Sequence, residues 1–146
     1  MLALSVHWVI EPQISQAGVA QAQQWLRSIL TARDVIAARI SDAELIAEEL
    51  LTNIVRSLET RRGSSRLSLE CKLTAAQIIM TFRDNGPPFD PLAVAAPDLA
   101  GSIEERAIGG LGVALVRELA DGCRYSRVQG HNVMEDRLHR TQSDER

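Results

Sequence analysis

Two short runs of alternating residues, joined by three small ones, set the tightest constraint on this chain. Leu67, Leu69 and Cys71 alternate with Ser68, Glu70 and Lys72, and Ile78, Met80 and Phe82 alternate with Ile79, Thr81 and Arg83. A period of two puts each apolar set on one side of a strand. With Thr74-Ala75-Ala76 between them, the two runs predict a β-hairpin whose apolar side must be covered by something else. The second run stops abruptly in Arg83-Asp84-Asn85-Gly86-Pro87-Pro88-Phe89-Asp90-Pro91. A strand ending in a stiff turn accounts for this stretch. So does a ligand pocket in which Asp84 and Gly86 form one wall.

Helices supply the cover. Ser5 to Ile10 reads as a first strand, and apolar residues recur at helical spacing from Ile14 to about Ala32. Ser41-Asp42-Ala43-Glu44 has the form of a capping box and predicts a second helix from Ser41 to about Thr60. A third helix follows Gly109-Gly110-Leu111-Gly112, with Leu111, Leu115 and Leu119 at four-residue steps and Gly122 as its C-cap. Cys123 to Gln129 and Asn132 to Leu138 are expected as the last strands, although the latter lacks clean alternation. The expected fold is α/β of the α+β kind, a two-layer sandwich. A mostly antiparallel sheet of four or five strands should pack on three helices. The chain has 146 residues, 45% of them apolar, which suits one domain over residues 1–140, with a disordered tail at 141–146.

Charge and composition narrow the function classes. The net charge is -3 with no basic stripe, so nucleic acid is not an expected partner. No apolar stretch approaches the length of a membrane span, and the N-terminus lacks the pattern of a secretory signal. Cys71 and Cys123 are isolated, and His7, His131 and His139 are far apart. Both facts point to a reduced, cytoplasmic protein without a Cys/His metal cluster.

On a helical wheel, Asn53 lies within about 20° of Ile46 at the edge of the apolar face, and Glu49 precedes it by one turn. An isolated pair of this kind is ordinarily structural, with Asn53 capping a loop and Glu49 solvated. Alternatively, Asn53 offers a hard oxygen to Mg²⁺ and Glu49 serves as a general base beside it. Gly109-Gly110-Leu111-Gly112 fits neither a Walker loop nor a dinucleotide fingerprint. It can supply backbone donors to an anion at a helix start, or merely the geometry of a loop-to-helix junction. The long segment 91–108, which fits no period, is of the kind more often functional than idle.

Taken in order, Glu49-Leu50-Leu51-Thr52-Asn53, Asp84 to Pro91 and Gly109 to Gly112 resemble the N, G1 and G2 boxes of the GHKL (Bergerat-fold) ATP-binding family. The likeness is greatest to its stand-alone bacterial anti-sigma-factor serine/threonine kinases, and it spans about Val6 to Asn132. It implies an ATP site in which Asp84 accepts from the adenine amino group and Gly86 makes room for the base. Residues 91–108 would be a lid carrying Arg106. Gly109, Gly110, Leu111 and Gly112 would face the phosphates, Asn53 would hold Mg²⁺, and Glu49 would take the proton of a substrate serine. It also implies a small anti-anti-sigma (STAS-type) protein and a sigma factor as alternating partners, and a homodimer. Ser57 departs from the family, which often has His four residues after its Asn. A catalytically weak module that holds ATP and sequesters a partner is the alternative. The catalytic half of a sensor histidine kinase ranks lower, because the chain is too short for the dimerising helix pair.

Overall fold

In the computed structural model, residues 5–59, 61, 63–93 and 110–141 are described. Five strands form one antiparallel sheet: β1 (Val6–Ile10), β2 (Leu67–Leu73), β3 (Gln77–Asp84), β4 (Gly122–Val128) and β5 (His131–His139), in the order β1-β2-β3-β5-β4. Among the described residues, three helices, α1 (Gln16–Ala32), α2 (Ala37–Glu59) and α3 (Gly110–Leu119), cover one side, so the two-layer expectation holds. The hairpin is as expected: Thr74 N donates to Gln77 O across the turn, and β2 pairs β3 from Leu67↔Asp84 to Leu73↔Ile78. Among the described residues, no helix is long and apolar enough to cross a membrane.

α1 begins where Ser15 accepts from Gly18 N through its hydroxyl. Gly18 has no room for a side chain, since a Cβ there would fall 1.7 Å from Gln13 O. α2 begins earlier than the capping box implied. Ser41 and Glu44 lie inside the helix, because the buried positions Ile40 and Ala43 carry its apolar face upstream. Asp34, in the left-handed region at φ 59, breaks the chain between α1 and α2. The Glu44 carboxylate meets Arg27 on α1 instead of its own helix start. Arg39, one turn into α2, is buried between Asp42 at 2.5 Å and Asp121 at 3.3 Å, tying this helix to the α3–β4 connection.

The hydrophobic core lies between the layers, and α2 runs through its middle with α1 and α3 against it. Packed on several sides, α2 buries more than one stripe. Val55 sits about 180° round the wheel from Ile46, yet both are fully buried. In α3 the core residues are Val113 and Val116, while Leu115 and Leu119 are only half-buried, so the leucine stripe is not the inner face. Gly122 opens β4 rather than capping α3, which ends as Asp121 N donates to Arg137 O. β5 does alternate after all. Asn132, Met134, Asp136 and Leu138 point inward, and the pattern is hard to read only because two of the four are polar.

Candidate active site

Register converts the strands into rows across the inner face of the sheet. One row is Ile10, Leu69, Phe82, Met134 and Tyr125; the next towards the sheet end is Leu67, Asp84, Asn132 and Arg127. The apolar surface therefore gives way to a polar row just where β3 stops. Asp84 is only 5% exposed. Its Oδ1 accepts from Gly86 N at 2.9 Å and from Asn132 Nδ2 at 3.1 Å. No hydrogen bond to Oδ2 is formed among the described residues, so one acceptor oxygen remains for a donor from outside.

The turn after Asp84 is clamped from several sides. Asn85 accepts from Arg66 N and donates to Ser64 O through its side chain, clipping the strand end to the preceding loop. Gly86 has no room for a side chain, because a Cβ would fall 2.9 Å from Asp84 Oδ1 and 3.2 Å from Leu58 Cδ2. Pro91–Ala93 form a short 3-10 turn, tied to α3 by a bond from Arg117 to Leu92 O.

α2 supplies the facing wall. Asn53, Leu50 and Ile54 line the same cavity as Asp84, Phe82, Phe89 and Asn132. No hydrogen bond engages the Asn53 carboxamide among the described residues, so it caps no described loop and its oxygen is available to a cation. Glu49 is half-buried rather than freely solvated. A Cβ at Gly112 would lie 2.1 Å from Glu49 Oε2, so that glycine leaves the space the carboxylate fills. Of the expected site residues, Asp84 and Asn53 line one cavity, Gly86 bonds Asp84, and Glu49, one turn before Asn53, meets Gly112 of α3. Gly110 starts α3; Arg106 and Gly109 lie outside the described residues, as does the lid over 94–108, and the side chain of Leu111 is not described.

Sequence reading missed Asn132 and Tyr125. Asn132 Oδ1 accepts from Tyr125 OH at 2.5 Å and from Phe89 N at 3.1 Å, while its Nδ2 donates to Asp84 and to Pro87 O. Every donor and acceptor of the amide is used, which locks its orientation. The signal was a polar residue in the inward phase of β5, visible only once β5 is registered against Asp84.

A family model, the histidine kinase-like ATPase domain, matches residues 14–135. The chain belongs to that family. Its relatives include a serine/threonine-protein kinase, BtrW of Bordetella bronchiseptica, 30% identical over 124 residues that cover 84% of this chain and 87% of that protein. The SiaB–SiaC complex of Pseudomonas aeruginosa contains a chain with the same fold at a TM-score of 0.65 and 14% identity, covering 90% of this chain and 88% of that one. Membership of the histidine kinase-like ATPases agrees with the motif order in the sequence and makes ATP the nucleotide expected of the domain.

Proposed function

We propose that this chain is an ATP- and Mg²⁺-dependent protein-serine kinase that acts as an anti-sigma factor in the cytoplasm. It would phosphorylate a small anti-anti-sigma (STAS-type) protein, bind a sigma factor in alternation with it, and work as a homodimer. One observation carries this reading: Asp84 and Asn53 line a single cavity, with Glu49 one helical turn before Asn53. The similarity to a serine/threonine-protein kinase supports the reaction class.

In this reading Asp84 Oδ2 accepts the adenine amino group. Gly86 N–H and the Asn132 amide hold the other oxygen and keep the carboxylate aimed into the cavity. Guanine, with a carbonyl at the corresponding position, would meet an acceptor with an acceptor. Asn53 would hold Mg²⁺, which neutralises phosphate charge when bound. Glu49 would receive the proton of the substrate serine, and most of the rate would come from positioning and charge neutralisation. The enclosed volume is ≈ 40 Å³, too little for a purine ring, so the wall must move as the base enters. Phe89, half exposed at the cavity, is the side chain best placed to do so.

The test is thermal denaturation with millimolar ATP and Mg²⁺. Saturation at a hundred times Kd adds about 2.7 kcal/mol of stability. Asn53→Ala should remove most of that gain, and wild type without any gain would end the nucleotide reading. In a radiolabel transfer to a partner protein, Glu49→Ala should bind ATP normally and transfer nothing. Undiminished transfer would remove Glu49 from the reaction.

A further inference from the structure

At the turn after Asp84 lies a second, open cleft of ≈ 500 Å³, lined by Asn85, Gly86 and Pro87 and sharing Ser57 with the first cavity. Two arginines reach into it from different elements. Arg61, just past α2, donates through Nη1 to Asn85 O, and Arg127 of β4 donates through Nη1 to Gly86 O at 2.8 Å. Two guanidinium groups thus sit on successive carbonyls of one turn. Among the described residues, neither forms an ion pair and no acidic side chain lines the cleft. Asp84, adjacent in sequence, turns away onto Gly86 N and Asn132.

Like charges gathered at one turn repel one another, and neutral carbonyls compensate them only weakly. Each guanidinium keeps unused N–H donors in a planar fork that matches a carboxylate. The Asn85 side chain is already spent on Arg66 N and Ser64 O, so the cleft has no free amide with which to read a base or a sugar. What remains is recognition of negative charge on an open surface. We infer that the Arg61–Arg127 cleft is a docking site for an acidic peptide segment of a protein partner, distinct from the nucleotide cavity.

The site has a consequence for its neighbour. Arg127 grips Gly86 O while Gly86 N–H grips Asp84, so a carboxylate that draws Arg127 away loosens the turn that positions Asp84. Peptide binding and nucleotide binding would then oppose each other, and linkage requires the opposition to be mutual.

Fluorescently labelled hexaglutamate, titrated by anisotropy without nucleotide, is the probe. Arg61→Gln/Arg127→Gln should weaken its binding about tenfold or more, as expected for loss of charge-assisted forks. Arg127→Lys should restore only part of that loss, and Arg56→Gln, an exposed arginine on α2, should leave affinity unchanged. Equal binding by the double variant, or an equal loss in Arg56→Gln, would overturn the site. Pyrophosphate binding with the same arginine dependence while hexaglutamate fails would overturn the peptide assignment. Because the titration contains no ATP, its outcome is independent of whether the first cavity binds nucleotide. The opposition is read separately, as weaker hexaglutamate binding when ATP and Mg²⁺ are added to wild type.

Discussion

Asp84 and Asp136 lie on the same inner face of the same sheet, both nearly sealed from water, and their surroundings differ completely. Asp84 ends β3 in a polar row and receives two hydrogen bonds on one oxygen. Asp136 lies in mid-sheet between Met80 and Cys123, and neither of its oxygens meets a hydrogen-bond donor of good geometry. Burial pushes its carboxyl from the ordinary 3.8 up to about 7, with the Cys123 thiol offsetting this only in part. Burial likewise pushes the Cys123 thiol up to about 12, helped by the neighbouring carboxylate. Depth alone therefore does not make a carboxylate useful. The donors on Asp84 fix where its carboxylate points, whereas Asp136, buried without them, favours its proton.

The largest test of that contrast is Asp136→Val. The folded-state pKa is raised, so the folded protein retains a proton that the unfolded chain releases. Stability is then highest below about pH 4, falls as pH rises towards about 7, and stays reduced above it. At about 1.4 kcal/mol per pKa unit, removing the carboxyl should relieve on the order of 4 kcal/mol at pH 8 and less than half of that at pH 5. Urea midpoints at the two pH values measure the difference; a variant with an unchanged pH slope would show that Asp136 is solvated or paired.

Asp84→Asn probes the other member. Gly86 N and Asn132 Nδ2 require the amide oxygen to stay where Oδ1 is, which turns an NH₂ towards the position proposed for the adenine amino group. Donor then faces donor, and about 2.7 kcal/mol of ATP-dependent stabilisation should disappear. Calorimetric melting with and without ATP reads the loss, while the nucleotide-free midpoint should move far less.

Asn132→Ala sharpens the contrast by stripping donors from Asp84. It also leaves Tyr125 OH and Phe89 N without their acceptor, and should cost about 2 kcal/mol in chemical denaturation. Gly112→Ala, beside the Glu49 carboxylate, tests positioning alone. Alanine suits a helix, so the melting temperature should hold, but its Cβ displaces the Glu49 carboxylate. Transfer should fall about tenfold or more for so small a misplacement.

The motifs were legible because each is local. Asp84 follows an alternating run, Asn53 and Glu49 share a helix edge, and the glycines precede a helix start, all within a few residues of chain. The hairpin could be read for the same reason, since its register depends on one short turn. The start of α2 was misread where a capping pattern competed with apolar periodicity, and the packing of Ile40 and Ala43 decided it. Asn132 escaped notice because its meaning depends on β5 lying beside β3, 48 residues away in sequence.

Period and spacing thus determined the element types, since side-chain direction along a helix or strand follows from backbone geometry, and the three motifs in their order carried the likeness to the family. Only the tertiary structure decided which of them meet. Pairing β5 with both β3 and β4 set Asn132 against Asp84, stranded Asp136 without donors and brought Arg127 to the turn that Arg61 reaches from α2. Such contacts depend on register between distant segments, and register is settled by burying the whole sheet face at once rather than by any single stretch of chain.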